Sequence, residues 1–175
     1  YDFRDKELEG HVNRILDHFL ALMEEQLPYS SDVQVYPGAE ELVVACKEEG
    51  WGTALLTGNM ERGARAKLAR TGLWDRFDFG VFGGDGNRRE DLPWVARERA
   101  WDVLHESFRP ENMVLVGDTP NDARVARLSG TRSLIVCRRD EDEWRQAIKH
   151  EQPTWLVDGF DDVPGLIQLI KGTGS

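Results

Sequence analysis

Long apolar runs are missing from this chain. No stretch approaches the roughly 20 residues that span a bilayer, and no basic-then-apolar leader opens it. A membrane partner is therefore not expected. Cysteine is scarce: only Cys46 and Cys137 occur, without CxxC spacing, which excludes a disulfide scaffold and a cysteine-rich metal centre. Each lies among apolar residues and reads as a buried free thiol, which suits a reducing, cytoplasmic compartment. Positive charge is in deficit, with 22 Lys and Arg against 32 Asp and Glu and a formal net charge of -10. That excludes a general nucleic-acid binder, which needs a basic face. An initial methionine is absent too. The first residue is Tyr1, so either the start has been processed away or the sequence begins inside a longer chain.

What is present is ordinary for a globular protein: 40% hydrophobic and 31% charged residues over 175 positions. That length suits one well-cored domain with a small helical appendage. Leu8, Val12, Ile15, Leu16, Phe19, Leu20 and Met23 recur at threes and fours, predicting an amphipathic helix over residues 5–27 that ends before Pro28. The stretch PYSSDVQVYPGA is a linker, and Pro37-Gly38 opens a second helix to about Glu49. Strand-like apolar runs follow at 52–56, 79–82, 113–117, 133–137 and 154–157. Helical patterns near 60–70, 91–106, 120–129, 141–149 and 162–170 lie between or after them. Alternation of this kind predicts an α/β fold: a doubly wound, mostly parallel sheet covered on both faces. The runs TALL, MVLVG and SLIVC are continuous rather than alternating, as in strands buried on both sides. Such sheets bind ligands beyond the carboxyl ends of their strands.

Three places carry chemistry, two of them strand ends. Thr57 follows ALL and precedes Gly58, Asn59 and a helix start near Met60. Its hydroxyl, with the amides of Gly58 and Asn59, suits an anion; the competing reading is a plain helix cap. Asp118 follows VLVG, with Pro120 in the first turn of the next helix and Asp122 one turn on. Paired carboxylates there suit a hard cation such as Mg2+, against a cap plus a first-turn acid favoured by the helix dipole. Arg88 and Arg89 precede a helix, where a cation is unfavourable. A bound phosphate would serve as partner, or an acid such as Asp85, Glu90 or Asp91.

Thr57 in LLTGN, Arg89, and Asp118 with Asp122 in VGDTPND match three of the four motifs of the haloacid dehalogenase (HAD) superfamily in order and spacing. The stretch TGNMERGARAKLARTGLWDRFDFGVFGGDGNRRED resembles a phosphatase-like branch almost end to end, and the likeness covers residues 36–170. It implies a HAD-like Rossmannoid core over 36–175 and a remnant of a helical cap with its linker over 1–35. It also implies Mg2+-dependent hydrolysis of a small phosphorylated metabolite through an aspartyl-phosphate. In that scheme Thr57, Gly58, Asn59 and Arg89 bind substrate. Arg89, where many relatives carry lysine, offsets developing charge. Asp118 ligates the metal and Asp122 holds one of its waters.

The superfamily's first motif, DxDGT, supplies the nucleophile and the acid/base, and it occurs nowhere in these residues. Asp85 in GGDGN reads as loop, and Asp158 in WLVDGFDD reads as a turn and N-cap. The family's motif-bearing first strand lies between those carrying the second and fourth motifs. Its absence would leave two unpaired edges in the core. The 175 residues are therefore expected to be the later part of a longer protein, inactive alone. A catalytically silent HAD-like module is the rival reading. A phospho-accepting receiver domain fits poorly, because its paired acids and lysine have no counterparts in the corresponding places. Trp51, Trp74, Trp94, Trp101, Trp144 and Trp155 read as packing, and His11, His18, His105 and His150 as solvent-facing or helix-end residues. The run RRDEDEW reads as a solvated helix start.

Overall fold

The computed structural model describes residues 3–29, 33–137 and 142–172. Helix α1 (Phe3–Gln26) leads through a short 3-10 turn (Leu27–Tyr29) toward α2 (Ala39–Glu48). The alternation then runs β1 (Ala54–Leu56), α3 (Glu61–Leu68), β2 (Phe79–Val81) and α4 (Leu92–Leu104). It continues through β3 (Val114–Gly117), α5 (Pro120–Ser129), β4 (Arg132–Val136), α6 (Asp142–His150), β5 (Trp155–Val157) and α7 (Val163–Gly172). None of the described helices is long and apolar enough to cross a membrane.

All pairings are parallel, as the crossover helices require. The strands form two sheets rather than one: β1 with β2, and β3–β4–β5 in that order. Among the described residues β1 pairs only with β2, and β3 only with β4, so each keeps one edge without a strand partner. Val116 on β3 is 47% exposed, unusual for a valine in a parallel strand. Among the described residues no strand joins the two sheets.

Strand β4 shows why its run is apolar throughout. Leu134 and Val136 point into a layer with Leu42, Phe160, Leu166, Ile167 and Ile170 from α2, α7 and the turn before α7. Ile135 and Cys137 point the other way, onto Ala123 of α5 and Ile148 of α6. The period-2 alternation thus places neighbours in two different cores. A smaller core joins Val81 of β2 to Leu92 and Ala96 of α4. Burying one such aliphatic side chain contributes about 2 kcal/mol.

Helix α1 lies against α3, where Leu20 and Met23 flank Gly63. Arg62 of α3 pairs with Glu24 at 2.8 Å and Asp17 at 3.3 Å. The apolar stripe is only partly covered: Leu20 is buried, while Leu8, Val12, Ile15 and Phe19 are exposed. Cys137 is buried as expected, but Cys46 is only half-buried, because it sits at the rim of the layer beneath α2.

Candidate active site

The turn from β3 into α5 is built around one carboxylate. Thr119 is the N-cap of α5, and its hydroxyl accepts from the Asp122 amide at 3.1 Å while donating to Asp122 Oδ2 at 2.8 Å. The same Oδ2 accepts from the amides of Thr119 at 3.1 Å and Asp118 at 3.2 Å. Pro120 fits at the first helical position, where no amide hydrogen is needed. Gly117 makes the approach possible, since a Cβ there would fall 2.5 Å from that of Asp122. Asp122 therefore does serve as the first-turn acid of a capping box. Asp118 is not the cap, and its carboxylate is left at the mouth of the strand.

Asp122 has a second partner. Its Oδ1 meets Arg89 Nη2 at 2.6 Å, with the aspartate side chain 10% exposed and the arginine 40%. Arg89 lies in a 3-10 turn (Arg89–Asp91) that leads directly into α4. The nearby acids considered as its partners are engaged elsewhere: Asp91 accepts from the Arg88 amide, Asp85 pairs with Arg99, and Glu90 stands 3.8 Å from Arg124. The Arg99 hydrogen bond holds the Asp85 carboxyl below the usual range against a smaller upward push from burial.

The loop after β1 flanks the same arginine. A methyl group on Gly58 would stand 3.2 Å from Arg89 Nη1. Neither Thr57 nor Asn59 caps α3. Met60 is its N-cap and makes no side-chain cap bond. Thr57 instead anchors its amide on the Val81 carbonyl at 3.0 Å. Its Oγ1 accepts from the Asn59 amide at 3.2 Å and from Asn59 Nδ2 at 2.8 Å. The loop is pressed onto its neighbour after β2: the Gly83 amide donates to the Asn59 carbonyl at 2.9 Å, and a Cβ on Gly83 would lie 2.2 Å from the Gly58 carbonyl oxygen.

Contact thus runs from Gly58 to Arg89, from Arg89 to Asp122, and from Asp122 to the amide of Asp118. Thr57 makes no direct bond to Arg89 or to either carboxylate. Two contributors were not read from the sequence. Tyr36, in the linker before α2, donates its hydroxyl to Asp118 Oδ2 at 3.0 Å from 82 positions away. Lys67 on α3 donates to Asn59 Oδ1 at 2.9 Å. Only the three-dimensional path of the chain reveals the first. The second needed the face of α3 as well as its existence.

Donor chemistry here suits a hard cation in part. Asp118 offers one carboxylate oxygen beyond the one that Tyr36 engages, and Mg2+ is commonly held through one or two carboxylates with waters retained. Asp122 already uses both oxygens in hydrogen bonds and an ion pair. No group of three or more His, Cys, Asp or Glu that could hold a metal ion converges among the described residues.

Other singled-out residues lie outside this cluster. Asp158 is exposed and pairs with Arg145 of α6. His11 and His18 are exposed on α1, His105 caps the end of α4, and His150 ends α6. Trp94 and Trp101 are exposed on α4, whereas Trp74 stacks on Phe82 at 5.9 Å. Of the run RRDEDEW, residues 138–141 lie outside the described residues, and Asp142 and Glu143 form the exposed first turn of α6.

Comparison with known proteins bears on the fold and the family. The phosphoglycolate phosphatase of Cereibacter sphaeroides is 29% identical over 169 residues, covering 95% of this chain and 69% of the relative. The crystal structure of CbbY from Rhodobacter sphaeroides, in complex with xylulose-(1,5)bisphosphate, superposes with a TM-score of 0.60 at 23% identity. That match covers 83% of this chain and 61% of CbbY, so the chain spans under two thirds of that structure. A HAD-superfamily hydrolase from Ehrlichia chaffeensis superposes at 0.58 with 18% identity, covering 95% of this chain and 75% of the other. At those identities the superpositions speak to fold alone, a Rossmannoid core. Residues 2–130 match the family model of the haloacid dehalogenase-like hydrolases, and the chain belongs to that family.

Proposed function

We propose that these residues form the substrate-binding and cation-holding part of a Mg2+-dependent phosphomonoester hydrolase. The observation that carries the reading is the Arg89–Asp122 pair at 2.6 Å. It joins the arginine beside the Thr57 loop to the turn that presents Asp118. A guanidinium fixed by a largely buried carboxylate is held in place before any ligand arrives, which is what electrostatic stabilisation of a transferring phosphoryl group requires. Thr57 and the amides of Gly58 and Asn59 bind phosphoryl oxygens, and Arg89 offsets their negative charge. Asp118 would hold Mg2+, and Asp122 would hold one of its waters. When bound, that ion neutralises phosphate charge and fixes its orientation.

The nucleophilic aspartate comes from outside these 175 residues, on a strand that fills the space between β1 and β3. Two parallel strands, each with one edge unpaired among the described residues, support such an insertion. The substrate is a small phosphorylated metabolite, the class that the relatives' names indicate. A catalytically silent binding module is the second reading, favoured by the absence of DxDGT.

p-Nitrophenyl phosphate hydrolysis by the full natural chain, with Mg2+ and with EDTA, tests both. Turnover that requires Mg2+ and falls at least ~100-fold in Asp118→Asn is the expected result. Equal rates in Mg2+ and EDTA would overturn the metal role. Absent turnover with retained phosphate binding would establish the silent module.

A further inference from the structure

Lys67 lies eight positions after Asn59, on the face of α3 that looks back at the phosphate-binding loop. Its ammonium donates to Asn59 Oδ1 at 2.9 Å, and Asn59 Nδ2 donates to Thr57 Oγ1 at 2.8 Å. An ammonium has only hydrogens to offer. The amide of Asn59 is therefore fixed with its oxygen toward Lys67 and its NH2 toward Thr57.

That orientation decides the state of the hydroxyl. A threonine oxygen has two lone pairs and one hydrogen. Both lone pairs are taken, one by Asn59 Nδ2 and one by the Asn59 amide at 3.2 Å. The hydrogen is the only hydrogen-bonding group left, and no acceptor among the described residues takes it. Nor does any described carboxylate stand within ion-pair distance of Lys67, so its charge is spent on the amide, polarising the Nδ2–H bond toward Thr57.

We propose that Lys67 is a positioning residue which, through Asn59, locks the Thr57 hydroxyl as an obligate donor to an oxygen of a bound phosphoryl group. Resting on the phosphohydrolase reading above, this makes residue 57 select for tetrahedral anions rich in acceptor oxygens. A threonine without the relay could turn its hydrogen to the Asn59 side chain and present a lone pair, which repels such an anion.

The test is titration of inorganic phosphate into the full natural chain by calorimetry, with a double-mutant cycle on Lys67 and Thr57. Thr57→Val removes the hydroxyl at nearly constant shape and should weaken phosphate binding ~10- to 100-fold. Lys67→Met should weaken it roughly 5- to 10-fold, the scale of one hydrogen bond to a charged group misaligned rather than deleted. On the Thr57→Val background the same change should cost less than about twofold. Lys67→Arg, which still donates to the amide, should stay within about threefold of the parent.

An unchanged affinity in Lys67→Met would overturn the relay. So would an equal loss on both backgrounds, because Lys67 would then act on phosphate through charge alone. Should Lys67→Met fail to fold by circular dichroism, Asn59→Ala on the two backgrounds answers the same question. If the parent itself binds no phosphate, the phosphohydrolase reading falls instead.

Discussion

Replacing Asp122 by alanine separates two forces that meet on one side chain. The carboxylate closes a capping box with Thr119, accepts the amides of Asp118 and Thr119, and pairs with Arg89. Loss of a cap of this kind costs about 1 kcal/mol, and hydrogen bonds to a charged group add about 1 to 2 more. The ion pair contributes less, about 0.5 kcal/mol, because Arg89 is 40% exposed and its charge is screened. Asp122→Ala should therefore cost roughly 2.5 to 3.5 kcal/mol, lowering Tm by about 5 to 14 °C for a chain of this size. Arg89→Gln should cost under about 0.5 kcal/mol and Asp122→Asn about 1, since the amide oxygen still accepts from the loop. Urea unfolding followed by tryptophan fluorescence reads all three. If Arg89→Gln destabilises as much as Asp122→Ala, the pair rather than the cap holds this turn and the reasoning is wrong.

Other consequences are equally direct. Gly83→Ala places a methyl 2.2 Å from the Gly58 carbonyl oxygen, so it should cost roughly 1 to 3 kcal/mol and weaken phosphate binding together with stability, as thermal melts with and without phosphate would reveal. Burial pushes the Asp78 carboxyl upward, but hydrogen bonds from Lys47 and from the amide and hydroxyl of Thr53 outweigh it and hold it below its ordinary value. A carboxyl depressed in the folded state stabilises above its unfolded pKa and ceases to as pH falls through the folded one. Asp78→Asn should thus be less stable than the parent at neutral pH, with the gap closing below about pH 4 in parallel denaturant curves. Burial, reinforced by Glu49, also raises the Cys46 thiol. Native protein should therefore react slowly with Ellman's reagent at Cys46 and not at Cys137, which is 2% exposed, and both should react after unfolding.

The helix and strand order was legible because each element carries its own periodicity. SLIVC reads as a strand buried on both sides, and β4 divides its residues between two cores. Asp118 and Asp122 were legible because a strand end followed by Pro120 fixes their spacing locally. What escaped the sequence was direction. The Arg89 bond to Asp122 spans 33 positions and that of Tyr36 to Asp118 spans 82, so neither leaves a local pattern. The division of the strands into two sheets did not follow from that periodicity. The expectation of one sheet came from the alternation of strands and helices, which says nothing about which strands touch.

That division gives the cluster a mechanical character. The Thr57 loop and Arg89 follow the strands of one block, whereas Asp118 and Asp122 follow β3 of the other, with α4 and α5 in contact alongside. An anion and cation lodged together there would act as a clasp, tying the halves by mass action and raising resistance to unfolding in step with ligand concentration. Occupancy would then be as much a structural event as a chemical one.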